Sequence, residues 1–417
     1  MTHFGIITPP VSGHVHPFGA LGRELIARGH RVSCFHMPDL EDAVLAEGLE
    51  FCRIGSSDHP RGSLPESLRQ LGAIKGFDAL KFTIKAVART TEMVCREGPA
   101  AIRGAGVDAL LVDQMEPAGG AIAEHLELPF VTVCNALAIN RDDSVPPPFT
   151  PWTYTDAWWA RARNRVGYVI SERMTRSIAD VVARYRQRWH LRILQSQDET
   201  FSTQAQISQM PREFDFPRAN LPATFHYVGP IRRARPRPAE FPWDRLDGRR
   251  LAYASLGTLQ NRREGIFRCI AEACRLLDIQ LVIAHGGGLT EDQVRSLPGD
   301  PIAVRFAPQL AVLERVDVTI THAGLNTVLD SLSRGVPVVA IPLTYEQPAI
   351  ARRIEWTGVG QSIAPDVLAP ATLARAVGDV LERDRFREAA SGVRAAIERA
   401  GGVRRAADLS EAAASDL

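Results

Sequence analysis

The sequence predicts an α/β protein of two halves, each a parallel sheet built from alternating strands and helices. Three observations carry this. Short apolar runs bounded by Gly, Pro or polar residues recur at strand length, as buried parallel strands do. Helical stretches separate them, so consecutive strands read as βαβ units. One stretch, residues 230–250 (PIRRARPRPAEFPWDRLDGRR), is rich in Pro and Arg and has no period, which marks a linker between two such halves. Two α/β halves place a site in the cleft between them.

The elements follow in order. Residues 4–8 form an apolar strand closed by Pro9 and Pro10. A loop over 10–16 follows, and Pro17 suits the first position of a helix reaching about Arg28. Gly29 can end that helix with positive φ. Residues 31–37 are the second strand, and helical patterns fill 66–103. A strand over 107–112 runs into Asp113, followed by a helix over 118–126 and a strand over 129–134. From 146 to 189 the chain turns Pro-rich and then interleaves Trp152, Tyr154, Trp158 and Trp159 with Arg161, Arg163 and Arg165. Helices over the rim of the first half are expected there. Past the linker, strands are expected at 251–255, 280–284, 303–306, 318–321 and 336–341, with helices between them and an Ala/Arg/Glu-rich helical end after Glu382.

Composition narrows the function. Lys+Arg 49 against Asp+Glu 48 leaves a net charge of +1, which argues against nucleic acid as a partner. The six cysteines form no C-x-x-C pair, which argues against a zinc ribbon or disulfide scaffold and fits reduced thiols in a cytoplasmic protein. No basic n-region follows Met1 and no apolar run reaches the roughly 18 residues of a membrane span. Neither a signal peptide nor a transmembrane segment is expected.

The clearest chemical signal is Thr321-His322-Ala323-Gly324-Leu325-Asn326-Thr327, between a strand and a helix. Gly324 lets backbone approach a ligand, and the amides of Asn326 and Thr327 at a helix N-terminus favour a phosphate. A second small turn, Ser255-Leu256-Gly257-Thr258, follows another strand. Either turn alone is more often a plain helix cap. Two of them at strand C-terminal ends, where α/β sheets bind ligands, favour function.

These turns, with Phe306-Ala307-Pro308-Gln309, the run from His322 to Asp330, and Pro342-Leu343-Thr344-Tyr345-Glu346-Gln347, resemble the signature of family-1 UDP-dependent glycosyltransferases. The resemblance spans the chain. The runs Asp113-Gln114-Met115-Glu116-Pro117-Ala118-Gly119, Ala205-Gln206-Ile207-Ser208-Gln209, Phe214-Asp215-Phe216-Pro217-Arg218 and Phe225-His226-Tyr227-Val228-Gly229 resemble bacterial zeaxanthin glucosyltransferases in particular. The resemblance implies the GT-B fold, with two Rossmann-like doubly wound domains facing a central cleft. It implies an acceptor domain over 1–229, the linker over 230–250, a UDP-sugar domain over 251–385, and a helical segment over 386–417 that can pack back on the first domain.

It also implies roles. His322, Gly324, Asn326 and Thr327 match a diphosphate cradle, with the Thr258 hydroxyl beside it. Phe306 matches an aromatic that stacks on uracil, and Gln309 and Asp330 match ribose contacts. Glu346 and Gln347 match a pair that grips sugar hydroxyls. His14, in Gly-His-x-x-Pro, matches the general base, and Asp113 the acid that fixes its tautomer. His16 is the rival base. UDP-glucose is then a co-substrate, no cofactor is required, and no Asp-x-Asp motif suggests a metal. The partners are a UDP-sugar and a hydrophobic acceptor, with peripheral contact to a membrane left open.

Other features stay ambiguous. Gly286-Gly287-Gly288 lacks a lysine and reads as a flexible turn. Glu116 reads as a surface carboxylate or a second functional acid. The Trp152–165 stretch lines an acceptor pocket, touches a membrane interface, or simply packs. An apolar acceptor cavity is expected beside His14, lined from 70–95 and 135–165. Two rival classes remain, a UDP-sugar epimerase and a non-catalytic sugar-nucleotide binder; the Trp-rich first half and the His14/Asp113 pair speak against them respectively.

Overall fold

A computed structural model describes residues 1–74, 76–233, 240–257 and 261–415. The first sheet comprises β1 (His3–Ile7), β2 (Arg31–His36), β3 (Glu50–Arg53), β4 (Ala109–Asp113), β5 (Phe130–Cys134), β6 (Ala205–Ser208) and β7 (Phe225–Tyr227). Its seven strands run in the order β3-β2-β1-β4-β5-β6-β7, and every pair is parallel. The second sheet comprises β8 (Leu251–Ser255), β9 (Gln280–Ala284), β10 (Ile302–Val304), β11 (Val318–Thr321), β12 (Val338–Ala340) and β13 (Gly360–Ser362). Its six strands run β10-β9-β8-β11-β12-β13, again all parallel. Both sheets are doubly wound, Rossmann-like layers. The central strands β1, β4, β8 and β11 are buried along their whole length, which is why they read as continuous apolar runs.

Strands β3, β6, β7 and β13 escaped the sequence reading. EFCR, AQIS, FHY and GQS carry too few apolar residues to announce themselves. Pairing with an established neighbour makes them strands. At β13 the approach is so close that a Cβ on Gly360 would lie 1.8 Å from the Val338 carbonyl oxygen.

The first helix corrects the sequence reading. It spans Ser12–Ala27, so Pro17 lies inside it and His14 stands in its first turn, not in a loop. The linker is also more than a spacer. Ile231 and Phe241 are buried, while 234–239 of the expected linker lie outside the described residues. The Gly286–288 turn is tightly packed, because a Cβ on Gly288 would lie 2.0 Å from the Asn261 carbonyl oxygen.

The chain ends in helices Pro370–Glu382, Asp384–Ala400 and Gly402–Ser415. The last one joins the first half's core: Ala406, Ala407, Leu409 and Ala413 pack with Phe18, Leu21 and Leu25. Arg28 binds Asp408 and Glu411 at 2.7 Å each.

The two halves share an apolar interface. Leu137, Met210 and Phe214 from the first pack with Leu325, Val328 and Ile350 from the second. Beside it lies a buried ionic knot. Arg353 Nε and Nη2 donate to Asp215 Oδ1 at 2.9 and 2.8 Å, and Arg218 Nε donates to Oδ2 at 2.9 Å. Burial alone would raise the Asp215 pKa; the two guanidiniums outweigh it and hold it at about 2. Such a pair, once buried, is costly to break from one side. Among the described residues, no helix is long and apolar enough to cross a membrane.

Candidate active site

Each sheet reverses its strand order at one point, between β1 and β4 in the first and between β8 and β11 in the second. Ligands of open α/β sheets bind outside the carboxyl ends of the strands at such points. The sequence-derived candidates gather at both.

At the first, His14 follows β1 and Asp113 is the last residue of β4. His14 Nδ1 lies 2.7 Å from Asp113 Oδ2. Asp113 is fully buried; its Oδ1 accepts from the Met115 N–H at 2.8 Å and its Oδ2 from Asn135 Nδ2 at 2.9 Å. An ionised carboxylate only accepts, so Nδ1 carries the imidazole proton and Nε2 the lone pair. Burial lowers the His14 pKa, but Asp113, by charge and by hydrogen bond, and Glu346, by charge, outweigh it, and the net shift is upward. His16 is engaged elsewhere: its Nδ1 binds Glu47 Oε1 at 2.9 Å.

At the second switch point, His322 follows β11. Its ring fits between two glycines: a Cβ on Gly257 would lie 2.8 Å from it, and one on Gly324 2.5 Å. Gly324 is therefore needed to house the imidazole, and its φ of −66 requires no glycine. The left-handed residue is Ala323, with φ 64, an energetically costly conformation for a residue with a Cβ. His322 Nδ1 has only long contacts, 3.3 Å to Thr321 Oγ1 and 3.4 Å to the Ser255 carbonyl. Burial pushes its pKa down to about 4, with the Ser255 carbonyl opposing weakly. Helix Leu325–Leu332 starts here with Gly324 as its N-cap, and its first intrahelical bond is from Val328 N–H to the Gly324 carbonyl. The N–H groups of Leu325, Asn326 and Thr327 precede that bond, as in any first turn, and form an anion-favouring end. Thr258 lies outside the described residues.

The remaining candidates surround this helix. Gln309 Nε2 donates to Asp330 Oδ2 at 2.7 Å, and Tyr253 OH donates to Gln309 Oε1 at 2.9 Å. Asp330 Oδ1 accepts from Arg232 Nε at 2.5 Å, so both its oxygens are already engaged. Phe306 is 60% exposed, with the Arg305 guanidinium over its ring at 5.5 Å. Glu346 precedes helix Gln347–Trp356, and its charge reaches His14 across the cleft. Gln347 Oε1 accepts from the Leu343 and Thr344 N–H groups at 2.8 and 2.9 Å, which leaves its NH₂ as the outward donor.

Several expectations need correction. Glu116 is no surface carboxylate: it is 5% exposed. Burial raises its pKa to about 8, with the Asp113 charge adding to this and the Ala118 N–H opposing it. Trp158 is 82% exposed and so lines no pocket; Trp152 packs over Gly167. A cavity of about 320 Å³ in the first half is lined by Ile139, Arg141, Asp143, Tyr168 and Asp198 among others. It is mixed in polarity and His14 does not line it, so it is not the apolar pocket expected beside His14. Asn135, Gln209 and Arg232 join the site unforeseen. A polar residue just past an apolar strand could have flagged Asn135 and Gln209; nothing separates Arg232 from the other arginines of its segment. Among the described residues no group of three or more His, Cys, Asp or Glu is placed to hold a metal ion.

The chain is similar to known proteins over nearly its whole length. The UDP-glucoronosyl and UDP-glucosyl transferase model matches residues 73–394, and the glycosyltransferase family 28 N-terminal domain matches 11–107. The chain is 38% identical to the zeaxanthin glucosyltransferase of Pantoea ananas over 99% of this chain and 96% of the relative. It is 37% identical to that of Pseudescherichia vulneris over 99% and 98%. The solved calicheamicin glycosyltransferase CalG4 superposes with a TM-score of 0.77 at 22% identity, over 99% of this chain and 98% of that one, which shows the shared GT-B fold. The chain belongs to the UDP-glucoronosyl and UDP-glucosyl transferase family and is a glycosyltransferase.

Proposed function

We propose that the enzyme transfers glucose from UDP-glucose, with inversion, to a hydroxyl of a hydrophobic acceptor such as zeaxanthin. The observation that carries this reading is the His14–Asp113 contact at 2.7 Å, set at one switch point and facing the helix N-terminus of the other half. The names of the two relatives at 38% and 37% identity supply the acceptor and the sugar. In this reading the first half holds the acceptor and the second the donor. His14 Nε2 takes the acceptor's proton as its oxygen attacks the anomeric carbon. The bond from that carbon to the diphosphate breaks and UDP leaves. Asp113 stabilises the imidazolium so formed. The N–H groups of residues 325–327, with His322 and the Thr258 hydroxyl, meet the diphosphate charge without a metal. Phe306 stacks on uracil, Gln309 and Asp330 meet the ribose, and Glu346 and the Gln347 NH₂ hold sugar hydroxyls. Membrane contact belongs to the same reading and rests on the exposed Trp158 and Trp159.

The test is to incubate purified protein with UDP-glucose and a panel of carotenoid diols, flavonoids, other phenols, terpenoids and macrolides, read by mass spectrometry. A hexose added to zeaxanthin is expected. Transfer only to another member would correct the acceptor alone. Turnover with none, or, in parallel incubations with other UDP-sugars, turnover with one of those only, would overturn the reading.

A further inference from the structure

Pro17 has no N–H, so within the Ser12–Ala27 helix nothing at the i+4 position can donate to the Gly13 carbonyl. That carbonyl accepts instead from the other half of the molecule: Asn326 Nδ2 donates to it at 2.8 Å. Asn326 stands in the first turn of helix Leu325–Leu332, and Gly13 immediately precedes His14. The other end of the same carboxamide, Asn326 Oδ1, accepts from Gln209 Nε2 and from Arg232 Nη2, both at 3.0 Å. A guanidinium can only donate. Arg232 therefore dictates which end of the Asn326 amide is oxygen, and so points its NH₂ at Gly13. Arg232 is itself held by Asp330 Oδ1 at 2.5 Å and Gln209 Oε1 at 2.9 Å. Gln209 Nε2 also donates to the Asn135 carbonyl at 2.5 Å, and Asn135 Nδ2 to Asp113 at 2.9 Å. The contacts close a ring: His14, Asp113, Asn135, Gln209, Asn326, Gly13, and back to His14.

We propose that Arg232, in the linker, and the Asn326 carboxamide are positioning residues that lock the His14 turn to the donor-binding half, so that the base is aligned only when the two halves are closed. The proposal rests on His14 being the base. Neither side chain touches the reacting atoms. Asn326 spends its carboxamide on this bridge and offers a donor only its backbone N–H. Arg232 is suited to the task because its planar fork serves Asp330, Gln209 and Asn326 together, which the single ammonium of a lysine cannot do.

The test uses the full chain with Arg232→Met, Arg232→Lys, Asn326→Leu and the Arg232→Met/Asn326→Leu pair. Each single change should lower kcat by about tenfold, the loss of one or two hydrogen bonds. The pair should fall no further than the worse single, because both act through the Gly13 contact. Arg232→Lys should not rescue. UDP affinity by calorimetry should stay within about threefold of the parent. A direct readout is the titration of His14, which Asp113 and Glu346 face, by NMR of histidine-labelled protein. Loosening the ring weakens the Asp113 contact, so the His14 pKa should move down in each variant, with or without an acceptor. An unmoved His14 titration overturns the proposal, as does kcat unchanged in a variant whose melting temperature alone has fallen. A fall in UDP affinity that matches the fall in kcat also overturns it, by making Arg232 a diphosphate ligand. A parent protein that transfers no sugar would break the functional reading instead, and the NMR arm would still decide this one.

Discussion

His14 and His322 stand at the switch points of two similar sheets but on opposite sides of them: His14 in the helix that follows β1, His322 directly after β11, the counterpart of β4. Both are shielded from water, and their surroundings drive them in opposite directions. His14 meets a buried carboxylate at 2.7 Å, which outweighs burial and raises its pKa. His322 meets only carbonyl and hydroxyl oxygens at 3.3 Å or more, so burial wins and holds it neutral, at about 4. The fold supplies the location, and the partner decides the chemistry. A histidine beside Asp113 is built to receive a proton and carry the charge. A histidine wedged between two glycines is built to stay uncharged beside an anion-favouring helix end, where the proposed reading uses it as a donor and not as a cation.

The comparison breaks most severely at its first member. His14→Ala should lower kcat by about 10²–10⁴-fold, the usual share of a positioned general base, with UDP affinity nearly unchanged. Steady-state transfer assays beside UDP calorimetry would check this, and unchanged turnover would remove His14 from the mechanism.

Asp113→Asn should cost roughly ten- to a hundredfold in kcat, the worth of a hydrogen bond to a charged group. It should also move the pH profile. The base must be neutral to act, so kcat/KM falls as pH drops through the raised His14 pKa. Without the Asp113 charge that acid limb shifts to lower pH. A limb that stays in place would assign it to another group.

Glu346→Ala should reduce kcat/KM for UDP-glucose by at least about tenfold while sparing UDP itself, because the proposed reading assigns its carboxylate to the sugar. It should also move the acid limb down slightly, since Glu346 helps to raise the His14 pKa. Equal losses for UDP and UDP-glucose would place Glu346 at the nucleotide.

The smallest effect belongs to the second histidine. Its folded pKa, about 4, lies below the ordinary 6.5, so protons favour the unfolded chain. Stability should fall as pH drops from about 6.5 to about 4, and His322→Gln should lessen that fall. His36, fully buried and lowered to about 3, keeps part of it in the variant. Thermal melts at pH 7 and 4.5 would measure the difference, and an identical acid response would show that His322 titrates normally.

Much of the site was legible because strand ends announce themselves. The apolar runs ending at Asp113 and at Thr321 are continuous, and the residues just past them are polar in a way a core strand does not need. Glu116 was misread because nothing local distinguishes a buried carboxylate from one turned to water; its neighbours are distant in sequence, its charge reaching Cys95 in the helix Gly76–Ala105. Pro17 was misread as a helix start because its missing N–H looks harmless only in a first turn. The actual first turn begins at Ser12, and the carbonyl that Pro17 cannot satisfy is met by Asn326, which is 313 residues away in sequence.

By itself the sequence determined the two α/β halves and the strands at their centres as apolar runs, though not their order, because hydrophobic periodicity is local and central strands are buried on both faces. It also determined the polar turns at their ends. Tertiary structure alone decided the edge strands, which exist through pairing. It decided as well the opposite states of His14 and His322 and the bridging role of Arg232. Each of these depends on which distant group arrives within hydrogen-bond reach, and on how much water that arrival displaces.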